Sequence, residues 1–368
     1  MKLALVHDWL TGMRGGEKAL EALCERFPDA ELFTLVHVRG SVSPAIERRP
    51  IHTSIIQRLP FASRFYRQYL PLMPVAVEQF DFDRFDTILS VSHCCVKSIV
   101  RPGAARHVCY CLTPMRYAWD QFDAYFGTDR LGAAGSAIMR RAMARMARWD
   151  RDTADRADRY VAISHYVAGR IRRYYNREAT VVYPPVDTDY FTPAPDKATL
   201  SDGATAPQAL IVSALVPYKR IQVAIDACRL AGVPLTVVGD GPDRTRLESH
   251  ANGGATFLGR LSDAALRDWY RRATVTLLPG EEDFGIVPLE AQACGRPVVA
   301  LGRGGARETI VDGETGVLVD DVSAEALADG IRRAIAHRFD SRAVRAHAEQ
   351  FGRTRFGDEM EALVRDGQ

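Results

Sequence analysis

The sequence contains no long apolar run, no paired cysteine motif and almost no net charge. No segment approaches the roughly 18 apolar residues that a membrane-spanning helix needs. The N-terminus lacks the apolar region and cleavage site of a signal peptide, so we expect a cytoplasmic protein. The seven cysteines form no CxxC pair, and their scattered spacing argues against a disulfide framework or a zinc site. A net charge of +2 is too small for a nucleic-acid-binding protein.

The small net charge is unevenly distributed. Residues 1–190 hold 27 Lys and Arg against 21 Asp and Glu, whereas the remainder holds 21 against 25. The first half is therefore basic, which suggests that it faces an anionic partner. A phosphorylated acceptor and a membrane surface both fit this pattern.

The pattern of apolar segments predicts an α/β protein with two domains. A chain of 368 residues exceeds one ordinary core. Buried strands are predicted at 3–7, 31–37, 86–91, 107–112, 161–163, 180–183, 209–213 and 275–278, and from Leu235 and Thr256, with helices between them. A segment rich in Pro, Asp and Ala, from Pro184 to about Pro207, indicates a linker. We predict an N-terminal domain at 1–190, a C-terminal domain at 191–345 and a final helical segment at 346–368.

The strongest chemical signal lies in residues 277–299. An apolar strand ends at Pro279, an acidic loop leads to Phe284-Gly285, and a helix follows that stops at Gly295. A loop that feeds a helix N-terminus offers free N–H groups to an anion such as a diphosphate. Glu282 on the loop and Glu290 on the helix are suitable acceptors for paired hydroxyl groups. A surface acidic loop before an ordinary amphipathic helix is the alternative interpretation.

This motif, Glu282-x7-Glu290 with Phe284-Gly285 and a Gly-x-Pro-Val continuation, resembles the donor-binding motif of family 4 glycosyltransferases. The resemblance implies the GT-B fold, in which two Rossmann-like domains face each other across a cleft and a C-terminal helix crosses back to the first domain. It implies a nucleotide-diphosphate sugar as donor and no metal or other cofactor, because cationic groups replace the metal. Lys219 and Glu282 are the predicted catalytic residues. The predicted donor-binding residues are Gly15, Gly16, Lys219, Arg220, Gly259, Arg260, Glu282, Phe284, Gly285, Ile286, Val287 and Glu290.

Individual roles follow from residue chemistry and from the resemblance together. Lys219, in a turn after a strand, is placed to neutralise a leaving diphosphate. By resemblance, Glu282 holds donor-sugar hydroxyls, Glu290 holds the ribose and the Gly15-Gly16 amides reach the donor phosphate. The dinucleotide fingerprint GxGxxG is absent, and a flexible turn is the alternative for Gly15-Gly16.

A second segment, residues 113–120, follows a strand end where ligands of open α/β sheets bind. It resembles the acceptor side of a family 4 subgroup that makes bacterial O-antigen and exopolysaccharide, in which mannosyltransferases are prominent. The predicted acceptor-side residues are Arg116, Tyr117, Trp119 and Asp120. The chain departs from the family at Leu112, where many members have histidine, and at Ala214, where relatives usually have arginine.

Two basic amphipathic segments remain open to interpretation. Residues 50–80 mix arginines with aromatic residues, and residues 137–160 predict a long helix with an arginine face. Each fits a peripheral contact with anionic lipid on the inner face of the plasma membrane. Each also fits an ordinary solvated surface over a domain core.

The resemblance leads to one functional hypothesis. It implies a retaining glycosyltransferase that moves a hexose, first of all mannose from GDP-mannose and next a hexose from a UDP-hexose, to a hydroxyl of a bacterial surface glycan linked to polyprenyl diphosphate. A sugar-nucleotide epimerase and a catalytically silent GT-B scaffold are the alternatives.

Overall fold

The computed structural model describes residues 2–195 and 207–366, so residues 196–206 of the predicted linker lie outside the described residues. The chain divides into two compact units. Unit 1 comprises Met1–Pro185 and Phe356–Gln368, and unit 2 comprises Val186–Arg355. Within the described residues, no helix is both long and apolar enough to cross a membrane.

Unit 1 is built on a seven-stranded sheet in which every neighbouring pair is parallel, in the order β3-β2-β1-β4-β5-β6-β7. Its central strands are buried along their whole length and mostly apolar, since helices cover both faces of a parallel sheet. The strands are β1 (Leu3–Leu10), β2 (Glu31–His37), β3 (Ile51–Thr53), β4 (Thr87–Ser92), β5 (Arg106–Cys111), β6 (Arg159–Ala162) and β7 (Ala179–Val181).

The helices of unit 1 differ in places from the predicted bounds. They are α1 (Gly15–Arg26), α2 (Pro44–Glu47), α3 (Ala62–Phe65), α4 (Met73–Glu78), α5 (Arg116–Trp119), α6 (Phe122–Phe126), α7 (Thr128–Asp152) and α8 (His165–Tyr175). The long basic helix runs over 128–152 instead of 137–160, and it is kinked at Gly132, which has φ +68°. Ser164 Oγ caps α8 by accepting the N–H of Val167 at 3.0 Å.

Unit 2, like unit 1, is built on a parallel sheet. This sheet has six strands in the order β10-β9-β8-β11-β12-β13. Its strands are β8 (Ala209–Val212), β9 (Leu235–Val238), β10 (Ala255–Gly259), β11 (Val275–Leu278), β12 (Val298–Leu301) and β13 (Gly316–Val319). Its helices are α9 (Ile221–Ala231), α10 (Arg244–Ala251), α11 (Asp263–Arg272), α12 (Ile286–Ala293), α13 (Ala306–Thr309), α14 (Ala324–Ala336) and α15 (Ser341–Glu349).

The C-terminal segment contains two helices, where the sequence predicted a single helical segment at 346–368. The break lies between α15 and the last helix, α16 (Arg353–Arg365). Most of α16 belongs to unit 1. There the Phe356 ring lies 5.4 Å from that of Tyr110, and Arg26 forms ion pairs with Asp358 and Glu361.

The strand orders locate the places where ligands bind in such sheets. The direction of winding reverses between β1 and β4 in unit 1, and between β8 and β11 in unit 2. Open α/β sheets bind ligands outside the carboxyl ends of the strands at these switch points. The expected α/β fold with two Rossmann-like sheets is confirmed, and the predicted motifs follow β1, β8 and β11.

Candidate functional site

The two predicted catalytic residues of unit 2 contact each other. Lys219 ends the short 3-10 turn Pro217–Lys219 after β8, and Glu282 lies on the loop after β11. The Lys219 ammonium Nζ donates to Glu282 Oε1. Both side chains are mostly but not fully covered, with 16% and 14% of their surface exposed. The switch point therefore holds a close pair of opposite charges that a ligand can reach.

Two glycines support the loop that carries Glu282. A Cβ on Gly304 would lie 2.3 Å from the carbonyl oxygen of Glu282, and a Cβ on Gly305 would lie 2.2 Å from Cα of Phe284. The Gly305 N–H donates to the Glu282 carbonyl at 2.8 Å. The backbone of the loop after β12 thus packs directly on the motif loop, which no larger residue would allow.

The start of α12 presents its backbone, while the aromatic side chain before it is anchored inside unit 2. Phe284 is buried, and its ring lies 5.9 Å from that of Phe351. Gly285 has φ +99° and directs the chain into the helix. Ile286 and Val287, half-buried in the first turn, belong to the helix positions whose N–H groups have no intrahelical acceptor. This geometry suits an anion.

Glu290 lies deeper than Glu282. It is 4% exposed, and its Oε2 accepts a hydrogen bond from Tyr270 Oη at 2.8 Å. Burial, and then the neighbouring Glu290 carboxylate, raise the pKa of Tyr270 well above its usual value, so the phenol remains a donor. Tyr270 fixes one carboxylate oxygen of Glu290.

The remaining predicted donor-binding residues of unit 2 lie around this centre. Arg220 is exposed and has a left-handed φ of +54°, at the start of α9. Ala214 is exposed on the loop after β8. Gly259 (φ +71°) is the last residue of β10, and the exposed Arg260 follows it. Strands β9 and β8 separate β10 from β11. Three strand spacings amount to about 14 Å, so these residues suit the far end of an extended ligand.

In unit 1, the predicted glycine loop lies against a buried charged pair. Gly15, exposed, begins α1, and Gly16 follows it. A Cβ on Gly16 would lie 2.7 Å from Leu112 Cδ1 and 3.4 Å from His7 Cε1. Leu112 therefore fills the space in front of Gly16, in the position where the resemblance expects histidine.

The charged pair itself joins β1 to α1. His7 Nε2 lies 3.8 Å from Glu17 Oε1, and the other Glu17 oxygen accepts the Arg14 N–H at 3.1 Å. Burial is the largest influence on the pKa of either group and opposes its charge. The hydrogen bond and attraction between the two groups, helped by Asp8 and the Val91 carbonyl at His7 and by His93 at Glu17, outweigh it. As a result the pKa of His7 is raised and the pKa of Glu17 is lowered.

A buried carboxylate, Asp8, joins β1 to the loop after β4. Its two oxygens accept four backbone N–H groups, from His93, Cys94, Cys95 and Val96, at 2.7 to 3.0 Å. His93 Nδ1 also lies 3.2 Å from Asp8 Oδ2. Burial lowers the pKa of His93, which favours its neutral form. Asp8 thereby fixes one wall of the unit 1 switch point.

Interactions inside unit 1 occupy the polar atoms of most predicted acceptor-side residues. The only donor of Trp119, Nε1, binds Asp150 at 2.8 Å, and its ring stacks on Tyr174 at 4.7 Å. Asp120 accepts from Arg170 and from Tyr174.

The Tyr117 hydroxyl lies 2.6 Å from Cys94 Sγ, and Arg116 is half-buried. Trp119 and Asp120 therefore fix the segment in place, and their contact with an acceptor stays a prediction.

Sequence reasoning did not identify the residues that hold these groups in position. They are Asp8, Glu17, Asp150, Arg170 and Tyr270, all buried. The available signal is a polar residue within an otherwise apolar strand or helix face, because a buried charge needs a partner. Which partner it meets depends on contacts between segments distant in the sequence.

Comparison with known proteins adds a family match for part of the chain. Residues 196–353 match the family model described as "Glycosyl transferases group 1". A D-inositol 3-phosphate glycosyltransferase of Mycobacteroides abscessus is 32% identical over 57% of this chain and 49% of its own length.

A GDP-mannose-dependent alpha-(1-6)-phosphatidylinositol monomannoside mannosyltransferase of Mycolicibacterium smegmatis is also 32% identical, over 48% of this chain and 52% of its own. The chain thus spans about half the length of these curated relatives.

Solved structures match over nearly the whole chain. Anabaena Alr3699/HepE in complex with UDP-glucose superposes with a TM-score of 0.70 at 18% identity, covering 99% of both chains. WaaG, a glycosyltransferase involved in lipopolysaccharide biosynthesis, superposes with a TM-score of 0.70 at 17% identity, covering 99% of this chain and 100% of its own. The chain therefore has the GT-B fold of these glycosyltransferases, and its residues 196–353 carry the sequence pattern of the group 1 glycosyltransferases.

Proposed function

We propose that the chain is a retaining glycosyltransferase that transfers a hexose from a nucleotide-diphosphate donor to a hydroxyl of a lipid-linked bacterial surface glycan. Mannose from GDP-mannose is the first candidate donor. The observation that carries this proposal is the Lys219–Glu282 pair at the β8/β11 switch point, beside the N-terminus of α12.

In this proposal, unit 2 uses separate groups for the diphosphate, the sugar and the ribose of such a donor. Lys219 and the first N–H groups of α12 supply positive charge for the diphosphate. Glu282 supplies acceptor oxygens for sugar hydroxyls, and Glu290, oriented by Tyr270, supplies them for the ribose. When a diphosphate takes the place of Glu282 at Lys219, the carboxylate becomes available to the sugar.

Transfer requires charge stabilisation more than proton transfer. The anomeric C–O bond breaks while negative charge builds on the leaving diphosphate, and a preorganised donor there is worth about 3 to 4 kcal/mol. The leaving phosphate takes the proton of the acceptor hydroxyl, which attacks from the same face and retains the configuration. We propose that Lys219 and the backbone amides perform the neutralisation that a metal provides elsewhere, so activity should survive EDTA.

The identity of the donor rests on two kinds of support. One relative of known specificity is named as GDP-mannose-dependent, which favours a mannosyl donor. One structural neighbour was solved with UDP-glucose, which makes UDP-hexoses the second group to test. The resemblance of residues 113–120 to O-antigen and exopolysaccharide enzymes favours a glycan on polyprenyl diphosphate as acceptor.

The test is incubation of the purified protein with GDP-mannose or UDP-glucose, with and without lipid-linked glycan extracted from bacterial membranes. Release of nucleotide that depends on the acceptor, with the α-configured sugar appearing on the glycan, supports the proposal. Lys219→Met should reduce this turnover at least a hundredfold, and Lys2→Met, an exposed lysine far along the chain, should leave it unchanged. Donor binding without any turnover would refute the transferase assignment.

A catalytically silent GT-B scaffold is the second candidate, and two residues favour it. Leu112 fills the space before Gly16, and Ala214 lacks the cationic side chain that the resemblance expects at its position in the loop after β8. If the protein binds donor and shows no transfer, the double variant Leu112→His with Ala214→Arg should restore turnover. If the double variant stayed inactive, Leu112 and Ala214 would not be the cause of the missing transferase activity.

A further inference from the structure

An exposed surface of unit 1 combines arginines with aromatic side chains and contains no acidic residue of its own segment. It lies in the region between β3 and β4 and is formed by Arg58, Phe61, Arg64, Phe65 and Arg67, hereafter the Arg-Phe patch. Between Glu47 and Glu78 the chain has five arginines and no Asp or Glu. Nothing in the donor chemistry proposed above uses this surface.

The apolar part of the patch is unusually open to solvent. Phe61 is 75% exposed, which is the highest value among the large apolar residues of the described chain, and Phe65 is 36% exposed. Their rings lie 6.3 Å apart. Ile55, Leu72 and Val75, from the same excursion of the chain, are also exposed. Clustered exposed apolar residues on a folded protein indicate an interaction surface.

The conformation of Phe61 is also uncommon. Its backbone has φ +52° and ψ +28°, in the left-handed region that bulky residues rarely adopt. This conformation caps the short helix α3 while its ring remains in solvent. A strained position that exposes an apolar ring is consistent with a role in binding.

Buried residues of the same segment support the Arg-Phe patch. Ile56, Tyr66, Leu70 and Met73 are buried beneath it. The Tyr66 ring packs on Trp9 of β1 at 5.1 Å. The exposed side chains are therefore presented by an ordered surface of unit 1.

The arginines are arranged along the aromatic rings. The Arg64 guanidinium lies 5.2 Å from the centre of the Phe65 ring, and that of Arg67 lies 4.8 Å from the centre of the Tyr66 ring. Arg58 is exposed at the end of the preceding 3-10 turn. Cations beside aromatic rings suit the boundary between lipid headgroups and acyl chains, where the rings enter the apolar layer and the guanidiniums meet phosphates.

We propose that the Arg-Phe patch is the surface through which unit 1 binds an anionic phospholipid membrane. The positive charge of an acid-free segment complements anionic headgroups, and the exposed phenylalanines supply the apolar insertion that charge alone lacks. Binding to vesicles does not depend on the proposed transferase activity. Membrane binding and the proposed transfer are compatible, because a polyprenyl-linked acceptor resides in the same membrane.

The test is co-sedimentation of the full chain with vesicles of phosphatidylcholine alone and of phosphatidylcholine with phosphatidylglycerol in equal parts. We expect binding to the anionic vesicles that weakens with added salt. Phe61→Ser with Phe65→Ser should reduce binding at least tenfold, and each of Arg58→Gln, Arg64→Gln and Arg67→Gln should reduce it about fivefold. Urea unfolding of each variant verifies that the fold is retained.

Matched controls make the result specific to the patch. Leu230→Ser and Arg338→Gln change an exposed apolar and an exposed basic residue of unit 2 and should leave binding unchanged. Ile138→Ser changes an exposed residue on the basic helix α7. Loss of binding in Ile138→Ser but not in the phenylalanine variant would overturn the proposal. So would an absence of vesicle binding, or a patch whose substitution only changes the oligomeric state in sedimentation velocity.

Discussion

Replacement of Gly305 by alanine tests whether the motif loop must be supported from behind. Gly305 has an ordinary φ of −66°, so alanine meets no backbone penalty there. The added Cβ would lie 2.2 Å from Cα of Phe284 and 2.5 Å from its carbonyl oxygen. Carbon atoms in contact prefer about 3.5 to 4.0 Å, so the two loops must separate by more than 1 Å.

The expected cost has two parts. Overpacking against a backbone that cannot rotate away costs about 1–3 kcal/mol. Separation also lengthens the 2.8 Å hydrogen bond from Gly305 N–H to the Glu282 carbonyl, which is worth about 1 kcal/mol. Because Glu282 moves with this loop, donor affinity should fall at least tenfold.

The assays are the urea midpoint and calorimetric titration with GDP-mannose and UDP-glucose. Gly103→Ala serves as the control, since nothing lies within 4 Å of its added Cβ. If Gly305→Ala kept both the urea midpoint and the donor affinity of the unsubstituted protein, the packing of the two loops would not be what positions Glu282.

Three further predictions concern buried polar groups. Asp150→Ala removes the ion-pair partner of the buried Lys97. It should lower the free energy of unfolding by about 3–5 kcal/mol, as measured by urea titration. Tyr270→Phe removes the 2.8 Å hydrogen bond that the Tyr270 hydroxyl donates to Glu290. Nucleotide binding measured by calorimetry should weaken about five- to tenfold. An unchanged dissociation constant would show that Tyr270 does not orient Glu290 for binding. Because the pKa of His7 is raised and that of Glu17 lowered, their stabilisation is complete between about pH 4.5 and about pH 6.5. It is lost as pH rises through the folded pKa of His7 and as pH falls through the folded pKa of Glu17. Glu17→Gln removes the hydrogen bond and the charge that raise the pKa of His7 most and leaves burial opposed only by Asp8 and the Val91 carbonyl, so the loss of stability with rising pH should shrink or reverse; two parallel pH profiles of the urea midpoint would contradict this pairing.

The alternation of strands and helices could be predicted from the sequence because parallel strands buried on both faces are apolar along their length. The motif helix α12 could also be predicted, because Gly295 and Pro297 are nearby residues that terminate a helix. The short edge strand β3 was missed, because Ile51–Thr53 is only three residues long and lies before the arginine-rich region. Length is not the whole reason, since the edge strand β7, also three residues long, was predicted, whereas β12, inside the sheet of unit 2, was not.

The candidate site could be predicted only in part, for a related reason. Lys219 and Glu282 were identified from their own loops, but their contact joins positions 63 residues apart. The support of the motif loop by Gly305, the hydrogen bond from Tyr270 and the four amides on Asp8 all depend on how distant segments pack. Trp119 was predicted to face an acceptor, and only the structure shows its indole N–H bound to Asp150.

The central claim is that unit 2 binds a nucleotide-diphosphate sugar through Lys219. The most direct measurement is calorimetric titration of GDP-mannose into the unsubstituted protein and into Lys219→Met, with free mannose as the control ligand. A charge-assisted hydrogen bond is worth about 1.5–3 kcal/mol, so we expect donor binding that weakens roughly ten- to a hundredfold in the variant and no binding of mannose. Equal affinity of the two proteins for GDP-mannose, and for UDP-glucose in the same experiment, would contradict it.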